Sequence, residues 1–88
     1  MVQKKVVIKN KTGLHTRPAA TLVKLAAKYN SEFYIMKDGM EINGKSIIGV
    51  MTLAAEQGST LQLRFDGKDE KVMAKAIVEL FDRGMDDV

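Results

Sequence analysis

Leu61, Leu63 and Phe65 alternate with Thr60, Gln62 and Arg64, and this alternation constrains the fold more than any other feature of the chain. A period of two predicts a strand with one apolar and one polar face. The sheet it joins then has one face against a core and one in water, as antiparallel sheets allow and all-parallel sheets do not. The apolar face needs a cover, and three stretches supply it. From Thr16 to Tyr29 the residues Ala19, Leu22, Val23, Ala26 and Tyr29 recur at helical spacing, with Thr21, Lys24 and Lys28 largely on the other side. Such a helix packs one stripe onto a sheet. Ser46 can cap a short helix through Ile47, Ile48, Val50, Met51 and Leu53, with Gly58 as its stop. A last helix is expected from Asp69, with Val72, Met73, Ala76, Ile77, Leu80 and Phe81 facing inward and Gly84 beyond its end.

Further strands complete the sheet. Val2, Val6 and Ile8 share a phase opposite Lys5 and Lys9, and Val7 breaks the alternation. Phe33 and Ile35 are in phase, as are Met40 and Ile42. Asp38-Gly39 between these pairs is a hairpin signal, because glycine tolerates the positive φ of such turns. The order is β-α-β-β-α-β-α, an α+β fold with helices on one face of a largely antiparallel sheet. With 88 residues, the chain has room for one domain, residues 1–88.

Composition removes several function classes. Cysteine is absent and there is one histidine, so neither thiolate chemistry nor a two-histidine metal site is available within the chain. No metal or other cofactor is expected. The first ten residues are not apolar for long enough to form a signal peptide or a span, so the expectation is a cytoplasmic protein without membrane insertion. Net charge is +3, and Lys4, Lys5, Lys9 and Lys11 could attract a polyanion. Nucleic-acid binding by stacking needs aromatics among the cations; tryptophan is absent and the two tyrosines and three phenylalanines are scattered, so none is expected.

The stretch that carries chemistry runs from Lys11 to Ala20. A strand has ended, Gly13 permits a tight turn, and a helix begins at or near Thr16. Pro18 is tolerated in a first helical turn, where its missing N–H had no intrahelical partner. The amides of Thr16 and Arg17 stay unpaired and, with the positive end of the helix dipole, make an anion site. His15 stands at that point, and the Arg17 guanidinium suits phosphate oxygens. A lone histidine at a helix start is ordinarily a cap or a surface residue. In conjunction with Gly13, Arg17 and Pro18 it reads instead as a nucleophile that accepts, holds and releases a phosphoryl group, with Thr16, Arg17 and Pro18 as its phosphate cradle.

Gly13-Leu14-His15-Thr16-Arg17-Pro18-Ala19 resembles the active-site motif of the HPr family, the histidine-containing phosphocarriers of the bacterial phosphotransferase system. Lys45-Ser46-Ile47-Ile48-Gly49-Val50-Met51 is similar to the family's regulatory serine segment. The resemblance implies an open-faced β-sandwich, four antiparallel strands covered on one face by three helices. It also implies that enzyme I, charged from phosphoenolpyruvate, passes a phosphoryl group to Nδ1 of His15, and that sugar-specific enzyme IIA domains remove it for sugar uptake. Arg17 matches the arginine that positions the phosphate. Such a protein is a relay substrate rather than a stand-alone enzyme. Thr16 departs from the alanine common in the family, which bears on transfer kinetics. The presence of His15 argues against the histidine-lacking, purely regulatory relatives.

Ser46 is read physically as a helix N-cap. In some Gram-positive members the matching serine is phosphorylated by an HPr kinase/phosphorylase, and that form binds a catabolite-control transcription factor. A phosphate there adds roughly two negative charges at the favourable end of a helix dipole. The partner surface implied by the resemblance comprises Thr16, Arg17, Ala20, Lys24, Ile47, Ile48 and Met51. A monomer is the simpler expectation.

Two other patterns fail on context. Gly39 to Ser46 fits G-x-x-x-x-G-K-[ST] letter for letter, but Met40 to Ile42 reads as a strand and the chain is too short for a parallel nucleotide-binding sheet. A Ser-His-Asp hydrolase lacks any nucleophile-elbow sequence. The alternative from another class is a regulatory binding module working through Ser46 and its short helix.

Overall fold

The computed structural model describes residues 1–86; residues 87 and 88, the last two of the expected domain, lie outside the described residues. Four strands are present: β1 (Val2–Val7), β2 (Glu32–Lys37), β3 (Met40–Asn43) and β4 (Thr60–Asp66). Three helices alternate with them: α1 (Thr16–Ala26), α2 (Ile47–Leu53) and α3 (Glu70–Asp82), the last followed by a 3-10 turn, Gly84–Asp86. The strands form one antiparallel sheet in the order β1-β4-β2-β3. This is the expected α+β architecture, an open-faced sandwich.

The alternation of β4 sets the register. Leu61, Leu63 and Phe65 are buried, and they stand opposite Val6, Lys4 and Val2 on β1. Phe65 also faces Phe33 on β2, their rings stacked with centroids 4.8 Å apart. Offset stacking of buried rings adds to their area burial. The helices lay Leu22, Val50, Met73, Ile77 and Phe81 onto this face to complete the core. On the other face Arg64 lies 4.7 Å from the centre of the Tyr34 ring and pairs with Glu41 at 3.1 Å. That polar layer leaves the second face of the sheet open.

Asp38 (φ 50°) and Gly39 (φ 82°) form the hairpin turn expected between β2 and β3. The G-x-x-x-x-G-K-[ST] pattern is therefore spread over a hairpin turn, strand β3 and the cap of α2, as expected from its context.

Three expectations are corrected. Val72 is 63% exposed: Met73 and Ile77 set the buried stripe of α3, and a residue one position away is turned about 100° from it. Helix α1 ends at Ala26, not Tyr29; the amides of Lys28 and Tyr29 bond the carbonyls of Leu25 and Ala26 in tightened turns. Helix α2 ends at Leu53, and Ala54 rather than Gly58 takes the left-handed position, at φ 51°. Asp69 is the residue before α3, but its carboxylate does not cap that helix. It accepts instead from the amides of Asn30 and Ser31, both at 2.8 Å, and from the Ser31 hydroxyl. The Ser31 hydroxyl, foremost, and the Asn30 amide hold the Asp69 carboxyl below the usual carboxylate range.

Candidate functional site

The segment between β1 and α1 is built by backbone geometry. Asn10 is buried, and its side-chain amide donates to the carbonyl of Gly13 at 2.7 Å, while the Gly13 amide donates back to the Asn10 carbonyl at 3.2 Å. Gly13 has φ +65°, and a Cβ there would lie 2.4 Å from the carbonyl oxygen of Ala55. No side chain fits that approach, so the turn requires glycine for both conformation and space. The next amide, Leu14, donates to the same Ala55 carbonyl at 2.9 Å, and the Leu14 side chain is buried. The chain is thereby clamped on both sides of the turn before it reaches His15.

His15 occupies the N-cap of α1 in extended conformation (φ −78°, ψ −173°), and its side chain makes no capping bond. The imidazole is exposed. Its carbonyl accepts the first intrahelical bond, from Ala19 at 2.8 Å. Thr16, Arg17 and Pro18 follow as the first turn. Pro18 has no N–H to leave unpaired, its ring is buried, and the turn contains no acidic residue. The amides of Thr16 and Arg17 precede the first hydrogen-bonded amide of the helix and are the free donors of its N-terminus. Thr16 and Arg17 are exposed, and Arg17 forms no ion pair among the described residues. Unpaired amides, a positive dipole end and a guanidinium in no ion pair among the described residues thus follow one exposed imidazole within the first turn of the helix. That arrangement can stabilise an anionic group bonded to the ring.

A depression of about 260 Å³ adjoins the ring, lined by Leu14, His15, Thr16, Met51, Ala54, Ala55 and Glu56. Met51 comes from α2, so the structure brings the two sequence segments together at one place. Ile47, Ile48 and Met51 are 39, 76 and 42% exposed, whereas Val50 and Leu53 of the same helix are buried. These apolar residues form an exposed face of α2 rather than a core contact, and of the three Met51 lines the depression beside His15. Ala20 and Lys24 lie exposed on α1, one and two turns beyond Thr16. Neither they nor Ile48 line the depression.

Ser46 caps α2 as expected: its hydroxyl accepts from the Gly49 amide at 3.1 Å, and its carbonyl accepts from Val50 at 2.9 Å. Lys45 beside it donates to the Tyr29 carbonyl at 2.6 Å, so part of its charge is spent on the loop after α1. Ala54, Ala55, Glu56 and Asn10 were not anticipated as parts of the site. Ala55 holds Leu14 through its carbonyl, a role that leaves no trace in residue type. Asn10 had one available signal, a polar residue directly after the apolar phase of β1 and three before a turn glycine.

Comparison with known proteins agrees with this geometry. Residues 2–83 match the family model described as PTS HPr component phosphorylation site. The phosphocarrier protein HPr of Xylella fastidiosa is 43% identical over 82 residues, 93% of this chain and 92% of that one. The HPr-like protein Crh of Halalkalibacterium halodurans is 45% identical over 83 residues, covering 94% and 99%. The crystal structure of HPr-C-His from Thermoanaerobacter tengcongensis superposes with a TM-score of 0.96 at 41% identity, over 100% of this chain and 99% of that one. The chain belongs to the HPr family of the phosphotransferase system.

Proposed function

We propose that the chain is a phosphocarrier that takes a phosphoryl group from phosphoenolpyruvate-charged enzyme I onto His15 and delivers it to enzyme IIA domains, in the cytoplasm and as a monomer. The observation that carries the reading is an exposed imidazole at the N-cap of α1, whose side chain makes no capping bond and which is followed by the free amides of the first turn and by exposed Arg17. A neutral ring nitrogen attacks phosphorus with its lone pair. The bond from phosphorus to the donor's nitrogen breaks as the new N–P bond forms, and the donor nitrogen leaves with that electron pair. Transfer to an enzyme IIA histidine repeats the exchange in the forward direction. The Thr16 and Arg17 amides and the guanidinium stabilise the phosphoryl oxygens while the group is held. Docking uses Thr16, Arg17, Ala20, Lys24, Ile47, Ile48 and Met51.

The test is intact mass after incubation with phosphoenolpyruvate and a bacterial enzyme I, beside a His15→Ala control. An acid-labile gain of one phosphoryl group, absent from the control, is the expected result. No gain with several enzyme I sources would overturn the reading. Sedimentation near the 9.7 kDa of one chain checks the monomer.

A second reading has one observation in its favour: Ser46 stands at the start of a helix whose exposed Met51 lines the depression beside His15. A phosphate on Ser46 would surrender the Gly49 cap as a neutral bond and regain it as a charged one, while placing about two negative charges beside the partner surface. This supports regulation by a kinase of the HPr kinase/phosphorylase class and recognition by a catabolite-control transcription factor. ATP-dependent phosphorylation that disappears in Ser46→Ala, together with slower acceptance from enzyme I, is its expected signature.

A further inference from the structure

A second groove shares no residue with the depression beside His15. It lies between β1 and α3 and encloses about 480 Å³. Val2, Ala74 and Val78 form its apolar floor, and Lys4, Lys71 and Lys75 stand around it. All three lysines are exposed, and none forms an ion pair with a carboxylate among the described residues. Glu79 is the single acid in the lining. Glu70, on the first turn of α3, is engaged by the Met1 amino group at 3.0 Å and by the Gly67 amide at 3.1 Å.

Strand β1 is an edge, paired on one side with β4. The amide of Ile8 donates to Ser59 and its carbonyl accepts from Gly58, so the polar groups of Ile8 face β4. In an antiparallel pair these directions alternate along the strand. Val6, Lys4 and Val2 therefore face β4, and Gln3, Lys5 and Val7 present their N–H and C=O groups outward. Lysines on an edge strand ordinarily guard it against unwanted pairing. That accounts for Lys4 and Lys5 but not for an apolar floor, nor for two more cations supplied by a separate helix.

We propose that this edge receives an extended acidic segment of another protein as a fifth strand. The segment pairs its backbone with Gln3, Lys5 and Val7, sets small apolar side chains on Val2, Ala74 and Val78, and brings carboxylates to Lys4, Lys71 and Lys75. Edge pairing supplies affinity, and side chains of alternate phase supply selectivity. A second copy of this chain is a poor occupant, because an antiparallel β1–β1 pair centred on this edge would set Lys5, or in the neighbouring register Lys4, against its own equivalent.

The probe is a capped heptapeptide of alternating glutamate and valine, with a glutamine-for-glutamate version as control, titrated into the isotope-labelled full chain. Expected are amide exchange slowed at Gln3, Lys5 and Val7 and shift changes on α3. Reversal of two exposed charges, Lys71→Glu with Lys75→Glu, weakens binding by about tenfold or more, as does the glutamine peptide. Lys4→Glu alone gives a second reading if the double variant fails to fold. Shifts without slowed exchange at the three amides, with dodecanoate binding equally well, would mean a small amphiphilic anion and would overturn strand addition. Slowed exchange without peptide at rising protein concentration would mean a second copy and would overturn it too. Shifts confined to α1 and α2, or none, would remove the site.

Discussion

Substituting Gly13 by alanine tests the clamp that delivers His15 to its place. Two costs can be worked separately from the structure. At φ +65°, an L-residue carries a left-handed penalty of roughly 1–2 kcal/mol. The new Cβ would lie 2.4 Å from a backbone oxygen that cannot rotate away. Reaching ordinary contact requires the loops to part by about 1 Å, enough to forfeit the Leu14–Ala55 bond and loosen buried Leu14, at about 1 kcal/mol or more. The total is roughly 2–3 kcal/mol, a large share of the roughly 4–13 kcal/mol expected for a domain of this size. Gly39→Ala separates the two costs, because Gly39 has φ +82° and nothing within 4 Å of its Cβ position. It should lose only the backbone penalty. Any gain from stiffening the unfolded chain is common to both variants and cancels. Urea unfolding with a slope of about 1 kcal/mol/M should place the Gly13→Ala midpoint about 1 M or more below that of Gly39→Ala. Equal midpoints would refute the steric part of the argument. Unimpaired phosphoryl acceptance by folded Gly13→Ala would refute the link from clamp to site.

Other perturbations have equally direct readouts. Ser46→Ala removes the α2 cap and should cost about 1 kcal/mol in chemical denaturation, with His15 acceptance retained. Ile48→Asp, at a site 76% exposed, should leave stability within about 0.5 kcal/mol. Steady-state transfer from enzyme I should nonetheless fall about tenfold in kcat/KM, the loss of one modest interface contact. The Asp69 carboxyl sits below its usual range because of the Ser31 hydroxyl and the Asn30 amide. A depressed folded pKa stabilises above the unfolded value, near 3.9, and that stabilisation is lost as pH falls through the folded value. Asp69→Asn should therefore be less stable than the parent at pH 6, and the difference should shrink below about pH 4, as followed by thermal unfolding against pH.

The order of elements was legible because each carries its own period: two in β4, and the spacing of Ala19, Leu22 and Ala26 in α1. The candidate site at His15 stood out in the sequence because a turn glycine, a helix start and an arginine fall within five residues. What escaped has a common physical character. Ala55 contributes a carbonyl and Ala54 a left-handed backbone angle, and neither is a property of an alanine side chain. Asp69, where the sequence starts the last helix, serves residues 38 and 39 positions earlier, a tertiary pairing that local pattern does not encode. Val72 was misplaced because an apolar residue next to a helical stripe satisfies a count of hydrophobics without lying on the stripe.

Asn10, Gly13, Leu14 and Ala55 hold the approach to His15 through backbone atoms and one side-chain amide, and the imidazole makes no hydrogen bond among the described residues. Folding and chemistry therefore draw on separate atoms. On the proposed function, the ring would gain and lose a doubly charged group on every turnover without the loss of any hydrogen bond of the clamp, since none of them is made by the ring. On the same proposal, a change at exposed Thr16 would alter transfer speed or partner choice with little consequence for whether the chain folds.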